Sequence, residues 1–394
     1  MRTSRLAIGL FFFCDGLLLG SWAARIPAVQ QHASLTNARL GLALFAASLG
    51  ALVAMPIAGR LCERVGSRSV TLAALLLGSG SLLATSLAGG LAGLAAALFG
   101  VGAGFGAMNV SVNAQGLVLE RLSGRPILSS FHAAFSAGGL AGAGLGALAA
   151  GAGLEPRRHF AVLAVALIAT GIASVRFLLP PEADDKAQSR TFARPPRAIF
   201  VLGTAALCTM LAEGAAADWS AVYLSRSFAA TAGVAALAYT VFALAMTTSR
   251  TFGDRFNRRY GPVVLARSGA ALATIGLGVG LAVGVVPVAI AGFAAMGAGL
   301  GVVIPILFRA AASTPDVSAS IGVAAVSTIG WLGFLAGPPA IGFAASVVGL
   351  RAALGIVVLA TLTLTVLAGS AEPSRHPSDA QLAAPLLDSV QCGV

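Results

Sequence analysis

Charged residues are scarce in this chain of 394 residues and make up 10% of it, whereas soluble domains carry about 25%. Hydrophobic residues make up 57% of the chain, and the mean hydropathy is +0.90. So few polar residues cannot cover the surface of an apolar core, which excludes a soluble globular protein. The composition predicts a protein that crosses a membrane many times.

Lysine and cysteine are also rare. The only lysine is Lys186, so no glycine-rich string is followed by the lysine that a phosphate-binding loop needs. These strings lie inside apolar segments, which favours close helix packing and argues against ATP-driven transport. No catalytic triad is recognisable, and we expect neither an enzyme nor a cofactor. The cysteines have no paired spacing and predict neither a disulfide framework nor a metal site; they are Cys14, Cys62, Cys208 and Cys392.

Apolar runs of about 20 residues, long enough to cross a hydrocarbon core of about 30 Å as helices, recur along the chain. Six of them predict an N-terminal bundle over residues 1–179, at about 6–24, 39–59, 69–88, 91–117, 128–150 and 160–179. Six more predict a C-terminal bundle over residues 198–369, at about 198–223, 231–249, 263–284, 286–309, 321–346 and 352–368. The polar, proline-flanked stretch 180–197 predicts a cytoplasmic linker, and 370–394 a disordered tail.

Two landmarks predict that the second half repeats the first. Aligning Glu63-Arg64 with Asp254-Arg255 gives an offset of 191 residues, and the glycine run 102–106 recurs at 297–301 with an offset of 195. Transporter halves related in this way usually enclose a pathway near the middle of the bilayer.

The distribution of arginine predicts the orientation. With both termini inside, 19 of the 25 basic residues fall on the cytoplasmic side and 6 on the other, as the positive-inside rule requires. We expect a multi-pass protein of a bacterial inner membrane. The net charge of +11 is divided among short clusters between spans, which favours topology and anionic lipid as its cause and argues against nucleic acid.

The basic turn over 59–68 reads GRLCERVGSR and resembles the loop Gly-x-Leu-Ala-Asp-Arg-x-Gly-Arg-Arg of the major facilitator superfamily. Three further stretches are similar to a bacterial inner-membrane branch near the fucose-type sugar permeases: 20–27, 213–220 and 333–339. The resemblance covers the whole chain and implies an all-α membrane protein of twelve spans in two pseudo-symmetric bundles. Glu63 and Ser67 depart from the superfamily pattern, where aspartate and a basic residue are usual, so the first-half gating network is expected to be looser.

The resemblance implies that spans 1, 4, 7 and 10 line a central cavity. Asp15 and Glu213 lie near the middle of spans 1 and 7, where a carboxylate costs roughly 2.5 to 3.5 kcal/mol on insertion scales and usually serves an ion or substrate pathway. Either is a candidate proton-coupling residue. The alternative is a carboxyl group that only orders helix packing.

Other polar and aromatic residues are candidates for the substrate cavity. Asn109 and Asn113 share a helix face and either hydrogen-bond a solute or join helices. Trp22 and Trp219 form an interfacial belt or a stacking platform. His132 is either a proton relay or a packed histidine. Arg309 either pairs with an anion or extends its guanidinium to the water at the membrane surface. The set is completed by Arg25, Asp218 and Trp331.

The two basic turns are expected to act as gates that tie the cytoplasmic helix ends together while the cavity faces outward. The gating residues are Gly59, Glu63, Arg64, Gly66, Arg68, Gly253, Asp254, Arg255 and Arg258. Alternatively, the turns serve only as topology signals.

Three functions remain open. Proton-linked uptake of a small polar solute fits the membrane carboxylates best. Efflux of a drug by proton antiport is the alternative, weakened because 136–146 lacks the glycine-proline element typical of efflux members. A receptor or scaffold without transport would leave the cost of the carboxylates unexplained. The expected partners are the solute, protons and the lipid bilayer, and we expect a monomer.

Overall fold

The computed structural model describes residues 2–123, 127–180, 197–315, 317 and 319–371, and throughout these ranges the chain is helical with no strands. The first half comprises α1 (Arg2–His32), α2 (Asn37–Val65), α3 (Ser67–Thr85), α4 (Gly90–Ser123), α5 (Leu128–Gly151) and α6 (Pro156–Ser174). The second comprises α7 (Arg197–Phe228), α8 (Ala232–Tyr260), α9 (Pro262–Val283), α10 (Val286–Leu300), α11 (Val303–Ala312), α12 (Ala319–Ala353) and α13 (Gly355–Leu367). The predicted linker and tail lie almost wholly outside the described residues.

Within those residues, eleven helical segments are long and apolar enough to cross a membrane, and Gly355–Leu367 is a shorter apolar helix. One crossing consists of α10 and α11 in series, and α12 is broken by Gly349, whose φ of 79° turns the chain back. The predicted fold class, an all-α membrane protein of twelve spans, is confirmed. The side of the α2–α3 turn is called the inner side, and the opposite one the outer side.

The α2–α3 turn is shorter than predicted. The expected loop over 59–68 is wrong, because α2 continues to Val65 and only Gly66, with φ 85°, leaves the helical conformation. Its N–H donates to the Cys62 carbonyl at 3.0 Å. Gly261, with φ 80°, ends α8 in the same way. Glycine suits this cap because a side chain would be strained at positive φ.

The two turns correct the internal alignment. Gly66 and Gly261 are equivalent by conformation, which gives an offset of 261 − 66 = 195 residues, so the offset of 191 is wrong by one helical turn. Backbone contacts repeat with the same offset. A Cβ at Gly102 would overlap the Ala47 carbonyl oxygen, and one at Gly297 would overlap that of Phe242. Neither position has room for a Cβ, so α2–α4 and α8–α10 pack backbone against backbone.

The halves meet at two symmetric contacts on the outer side, here called the outer seams. In the first, a Cβ at Gly41 of α2 would lie 2.6 Å from the Pro338 carbonyl oxygen of α12, and one at Gly342 would lie 2.7 Å from the Asn37 carbonyl oxygen. In the second, Ala147 of α5 packs against Ala236 of α8. Adding 195 to 41 and 147 gives 236 and 342, so the seams are copies of each other. This conformation is closed on the outer side.

Candidate functional site

Seven residues near the middle of their helices form a closed circuit between the two halves. We call it the central ring: Phe105, Phe135, Ser136, Glu213, Arg250, Trp331 and Phe334. They come from α4, α5, α7, α8 and α12, and each lies within little more than one helical turn of the middle of its crossing. The ring divides into a polar arc and an aromatic arc.

The polar arc is centred on Arg250. Its Nη2 donates to Glu213 Oε1 at 3.4 Å and to Oε2 at 3.5 Å, and its Nη1 donates to Ser136 Oγ at 3.4 Å. The arc therefore joins α7 and α8 of the second half to α5 of the first. The Arg250 side chain is 34% exposed and that of Glu213 is 16% exposed, so the cation is the more accessible member of the pair.

The third partner of Arg250 is a backbone carbonyl group that a proline leaves free. Pro305 has no N–H, so the Gly301 carbonyl four residues earlier receives no helical hydrogen bond from it. The chain breaks between α10 and α11 at this point, and Arg250 Nε donates to the Gly301 carbonyl at 3.4 Å. Discontinuous helices whose freed carbonyls face polar groups are typical of transporter binding sites.

The aromatic arc closes the circuit. The ring centroids of Phe135 and Phe105 are 6.2 Å apart, those of Phe105 and Trp331 are 6.3 Å apart, and those of Trp331 and Phe334 are 5.4 Å apart. The Phe105–Trp331 contact joins the two halves. All four rings are only partly buried, which means that they border open space.

Two short contacts attach Phe334 to its surroundings. A Cβ at Gly214, the neighbour of Glu213, would lie 2.8 Å from the Phe334 ring, so only glycine allows α7 to approach this closely. Pro338 lacks an N–H and frees the Phe334 carbonyl, which accepts a hydrogen bond of 2.9 Å from Ser48 Oγ of α2. The aromatic arc is thus held by both halves.

The predicted proton-coupling carboxylates have different surroundings. Glu213 belongs to the central ring, whereas Asp15 is 5% exposed and has no hydrogen bond or ion pair to any residue in the described parts of the chain. Asp218 is partly buried one and a half turns from Glu213. Tyr239 of α8 interacts electrostatically with Glu213, Asp218 and Arg250.

Three cavity candidates lie on the helices α4 and α5, which also carry ring residues. His132 is exposed, contacts the Phe12 ring edge-on at a centroid distance of 5.3 Å and interacts electrostatically with Arg250. Asn109 and Asn113 are partly buried on α4. Asn113 Nδ2 donates to the Asn109 carbonyl at 2.7 Å, so this amide bonds to its own helix rather than to a neighbouring one.

Three other candidates do not face open space. Trp22 is 4% exposed and Trp219 is 0% exposed, so the interfacial belt is wrong for both, because a belt tryptophan contacts lipid headgroups. Arg25 is buried and donates to the Leu154 carbonyl in the turn between α5 and α6. Its placement in the substrate cavity is wrong in this conformation, because its guanidinium holds a helix connection.

The predicted gating residues occupy helix ends on the inner side. Glu63, Arg64, Arg255 and Arg258 are exposed, and Arg68 is partly buried; none of these five has an ion pair within the described part of the chain. Gly59 is helical with open space around it, and Gly253 approaches Val302 at the break between α10 and α11. Asp254 lies on α8, but its side chain is outside the described residues. Arg309 is exposed near the end of α11.

Sequence reasoning missed Arg250, Ser136, Phe105, Phe135 and Phe334. The arginine count places Arg250 in the inner loop, which is wrong, because α8 extends ten residues beyond it. The signal that could have placed Arg250 inside the helix is its distance along the sequence from Gly261, the glycine that ends the helix. The four uncharged residues have no signature of their own, since serine and phenylalanine are common in any membrane span.

Comparisons with known proteins agree with this architecture. The family model of the Major Facilitator Superfamily matches residues 6–215. An uncharacterized MFS-type transporter of Yersinia pestis is 34% identical over 355 residues, covering 90% of this chain and 92% of its own length. Membrane protein MosC of Rhizobium meliloti is also 34% identical, over 89% of this chain and 86% of its own.

Solved structures show the same fold at low identity. The nucleoside transporter NupG superposes with a TM-score of 0.72 at 13% identity, covering 94% of this chain and 98% of its own. A bacterial homolog of the human lysosomal transporter Spinster, inward-facing and unoccupied, superposes with a TM-score of 0.73 at 16% identity, covering 95% and 98%. On its own sequence, its family model and its fold, this chain is a membrane transporter that belongs to the major facilitator superfamily.

Proposed function

We propose that this protein is a secondary active transporter that moves a small solute by alternating access and couples the movement to protons. The observation that supports the proposal is the Glu213–Arg250 pair at the middle of the crossing helices, 3.4 Å apart. A charged pair at this depth is costly to insert and is usually retained for a pathway or a proton relay.

Coupling follows from the charge on Glu213. Protonation of Glu213 removes the negative charge that Arg250 pairs with, and leaves the partly exposed guanidinium without a counter-charge at the middle of the crossing helices. An unpaired charge in such surroundings is unfavourable, so the protonated state favours any solute or rearrangement that supplies a new partner. A ligand shifts the equilibrium between the inward-facing and outward-facing states only by the difference in its affinity for them. In this proposal, protonation of Glu213 determines that difference in affinity. Asp15 is the second candidate.

The outer seams support alternation. They close the outer side through glycine and alanine contacts, which hold two backbones together without long side chains to disentangle. In the outward-open state these contacts separate, and the gating residues of the inner side come together. The central ring lies between the two closures.

The membrane placement follows from the arginine count. Arg250 now leaves the inner group, so 18 basic residues remain there against 6 on the outer side. We propose a multi-pass protein of the bacterial cytoplasmic membrane, monomeric, with both termini in the cytoplasm. The similarity to the branch near the sugar permeases stays a prediction.

The test is solute transport into proteoliposomes after a pH jump, across panels of sugars, amino acids and drugs. We expect at least one solute to accumulate against its gradient, and Glu213→Gln to abolish accumulation while exchange of that solute persists. Asp15→Asn is the matched comparison. Reversing the pH gradient detects efflux by antiport, the alternative function. Undiminished accumulation in both variants would contradict proton coupling through either carboxylate.

A further inference from the structure

We propose that the central ring binds an organic anion that carries a flat ring, with its acidic group on Arg250 and its ring against Trp331 and Phe105. The inference names the substrate class of the site used in the proposed function and rests on that function for its link to protons. Its two parts correspond to the polar arc and the aromatic arc.

Arg250 is held loosely. Its contacts with Glu213, Ser136 and Gly301 are all between 3.4 and 3.5 Å, whereas charge-assisted hydrogen bonds of arginine are usually about 2.7 to 2.9 Å long. A guanidinium has five N–H donors, and one of the two on Nη1 has no partner among the described residues. A planar fork with long contacts and a free donor matches a carboxylate or phosphate.

The sign of the charge on the solute follows from which member of the Glu213–Arg250 pair is more accessible. The Arg250 side chain is about twice as exposed as that of Glu213, so an incoming group meets the cation first. A cationic solute would be repelled by Arg250 before it reached the carboxylate. When Glu213 is protonated, an anion replaces the lost partner of Arg250, and a neutral solute does not. The other titratable groups around the pair are Asp218 on α7, Tyr239 on α8 and His132 on α5.

The aromatic arc supplies the second half of the specificity. Of the three tryptophans, two are fully enclosed, and only Trp331 borders open space. It lies 6.3 Å from Phe105 of the other half, so a ring placed on both would contact both halves at once. Offset or edge-on ring pairs contribute about 0.5 to 1.5 kcal/mol beyond area burial. Such contact couples occupancy of the site to the distance between the halves.

Four probes separate the two features: benzoate has ring and charge, acetate only the charge, benzyl alcohol only the ring, and benzylamine the ring with the opposite charge. The measurement is equilibrium binding of radiolabelled benzoate to the purified, detergent-solubilised full chain, with the other three as competitors. We expect acetate and benzyl alcohol to compete at least about tenfold more weakly than unlabelled benzoate, the equivalent of about 1.4 kcal/mol. Benzylamine should not compete.

Two variants identify the residues. Arg250→Lys keeps the charge but removes the planar fork, and should weaken benzoate binding about tenfold or more. Trp331→Leu should reduce the preference for benzoate over acetate about fivefold while leaving acetate binding unchanged. Matched controls are Arg197→Gln and Phe343→Leu, which lie at exposed positions on α7 and α12 and should change neither value. Size-exclusion profiles establish that each variant is folded.

The inference is overturned if benzyl alcohol or benzylamine binds as well as benzoate, if folded wild-type protein binds no benzoate, or if Trp331→Leu leaves the benzoate-to-acetate ratio unchanged. Failure of the proposed function gives a different result: benzoate binds as expected, but no pH gradient drives accumulation of any solute. Conversely, proton-driven accumulation of a cationic or neutral solute by a folded protein that binds no benzoate would leave the proposed function intact and exclude the anion.

Discussion

The two halves of this transporter share a scaffold but not the charges at its centre. With the offset of 195 residues, Arg250 of α8 falls on Met55 of α2, and Glu213 falls on Leu18 of α1. The positions that form the ion pair in the second half are therefore apolar in the first. In exchange, the first half carries Asp15, enclosed and without a described partner.

The comparison separates what packing requires from what chemistry requires. Glycine contacts such as Gly102–Ala47 and Gly297–Phe242 repeat between the halves, because both bundles must bring helices to backbone distance. The charges at the centre do not repeat, because one ion pair at the middle of the membrane is sufficient and a second would add only its insertion cost. Symmetry at the seams and asymmetry at the centre are therefore expected together.

The largest expected effect comes from variants that obstruct one of the two symmetric outer seams. Gly41→Leu or Gly342→Leu should abolish transport, because a Cβ alone would already lie 2.6 or 2.7 Å from a backbone oxygen of the opposite half. Ala147→Leu tests the copied seam and should behave alike. Transport and cysteine labelling of outer positions measure the effect, and Gly80→Leu, where open space surrounds the glycine, is the control. Normal transport in the Gly41 variant would show that this seam opens and closes no pathway.

The second-largest effect is expected at the ion pair between Glu213 and Arg250, which only the second half contains. Arg250→Gln should lower the thermal stability in detergent, because Glu213 is left charged without a partner, and adding Glu213→Gln should recover part of the loss. Arg197→Gln provides the matched control for loss of an arginine. A double variant whose loss equals the sum of the two single losses would mean that the pair contributes no coupling energy.

A smaller effect tests the equivalence of the two turns. Gly66→Ala and Gly261→Ala should each destabilise the protein by about 1 to 3 kcal/mol, because both backbones combine a φ of 80° or more with an extended ψ, of 143° and 161°, a region that is essentially restricted to glycine. Gly59→Ala should instead stabilise the protein by up to about 1 kcal/mol, since this helical glycine lies in open space and alanine has the higher helix propensity. Thermal unfolding of the three variants measures this. A neutral result at either turn would contradict the offset of 195 residues.

The smallest effect concerns the gates. Replacing Asp254 by Asn should raise the inward-facing population, because exposed charge pairs contribute about 0.2 to 1 kcal/mol each and the equilibrium is balanced. Labelling of a cysteine introduced into the inner cavity measures the population, with Arg197→Gln as control. Unchanged labelling alongside normal transport would reduce the turns to topology signals.

Much of the fold was predictable. Apolar runs of membrane length predicted the twelve crossings, and Gly66 and Gly261 were recognisable as turn glycines. The helix ends were not predictable, because residues 59–65 combine arginine, leucine and glutamate, which are good helix formers, with a charge pattern that also suits a loop. The alignment of the halves failed for the same reason, since two arginine-rich helix ends match at more than one register.

The pattern of apolar, basic and acidic residues was enough to predict that the chain crosses a membrane, that it is duplicated, and that carboxylates lie deep in two crossings. Which of these carboxylates has a partner depends on how the helices pack. The pairing of Glu213 with Arg250 depends on the angle and depth at which α7, α8 and the broken α10–α11 crossing meet, and Pro305 exposes the Gly301 carbonyl to a neighbouring helix rather than to its own. The sequence of a single helix shows which charged side chains and free carbonyl groups it carries. The packing of the helices then determines which of these groups lie within hydrogen-bonding distance of each other.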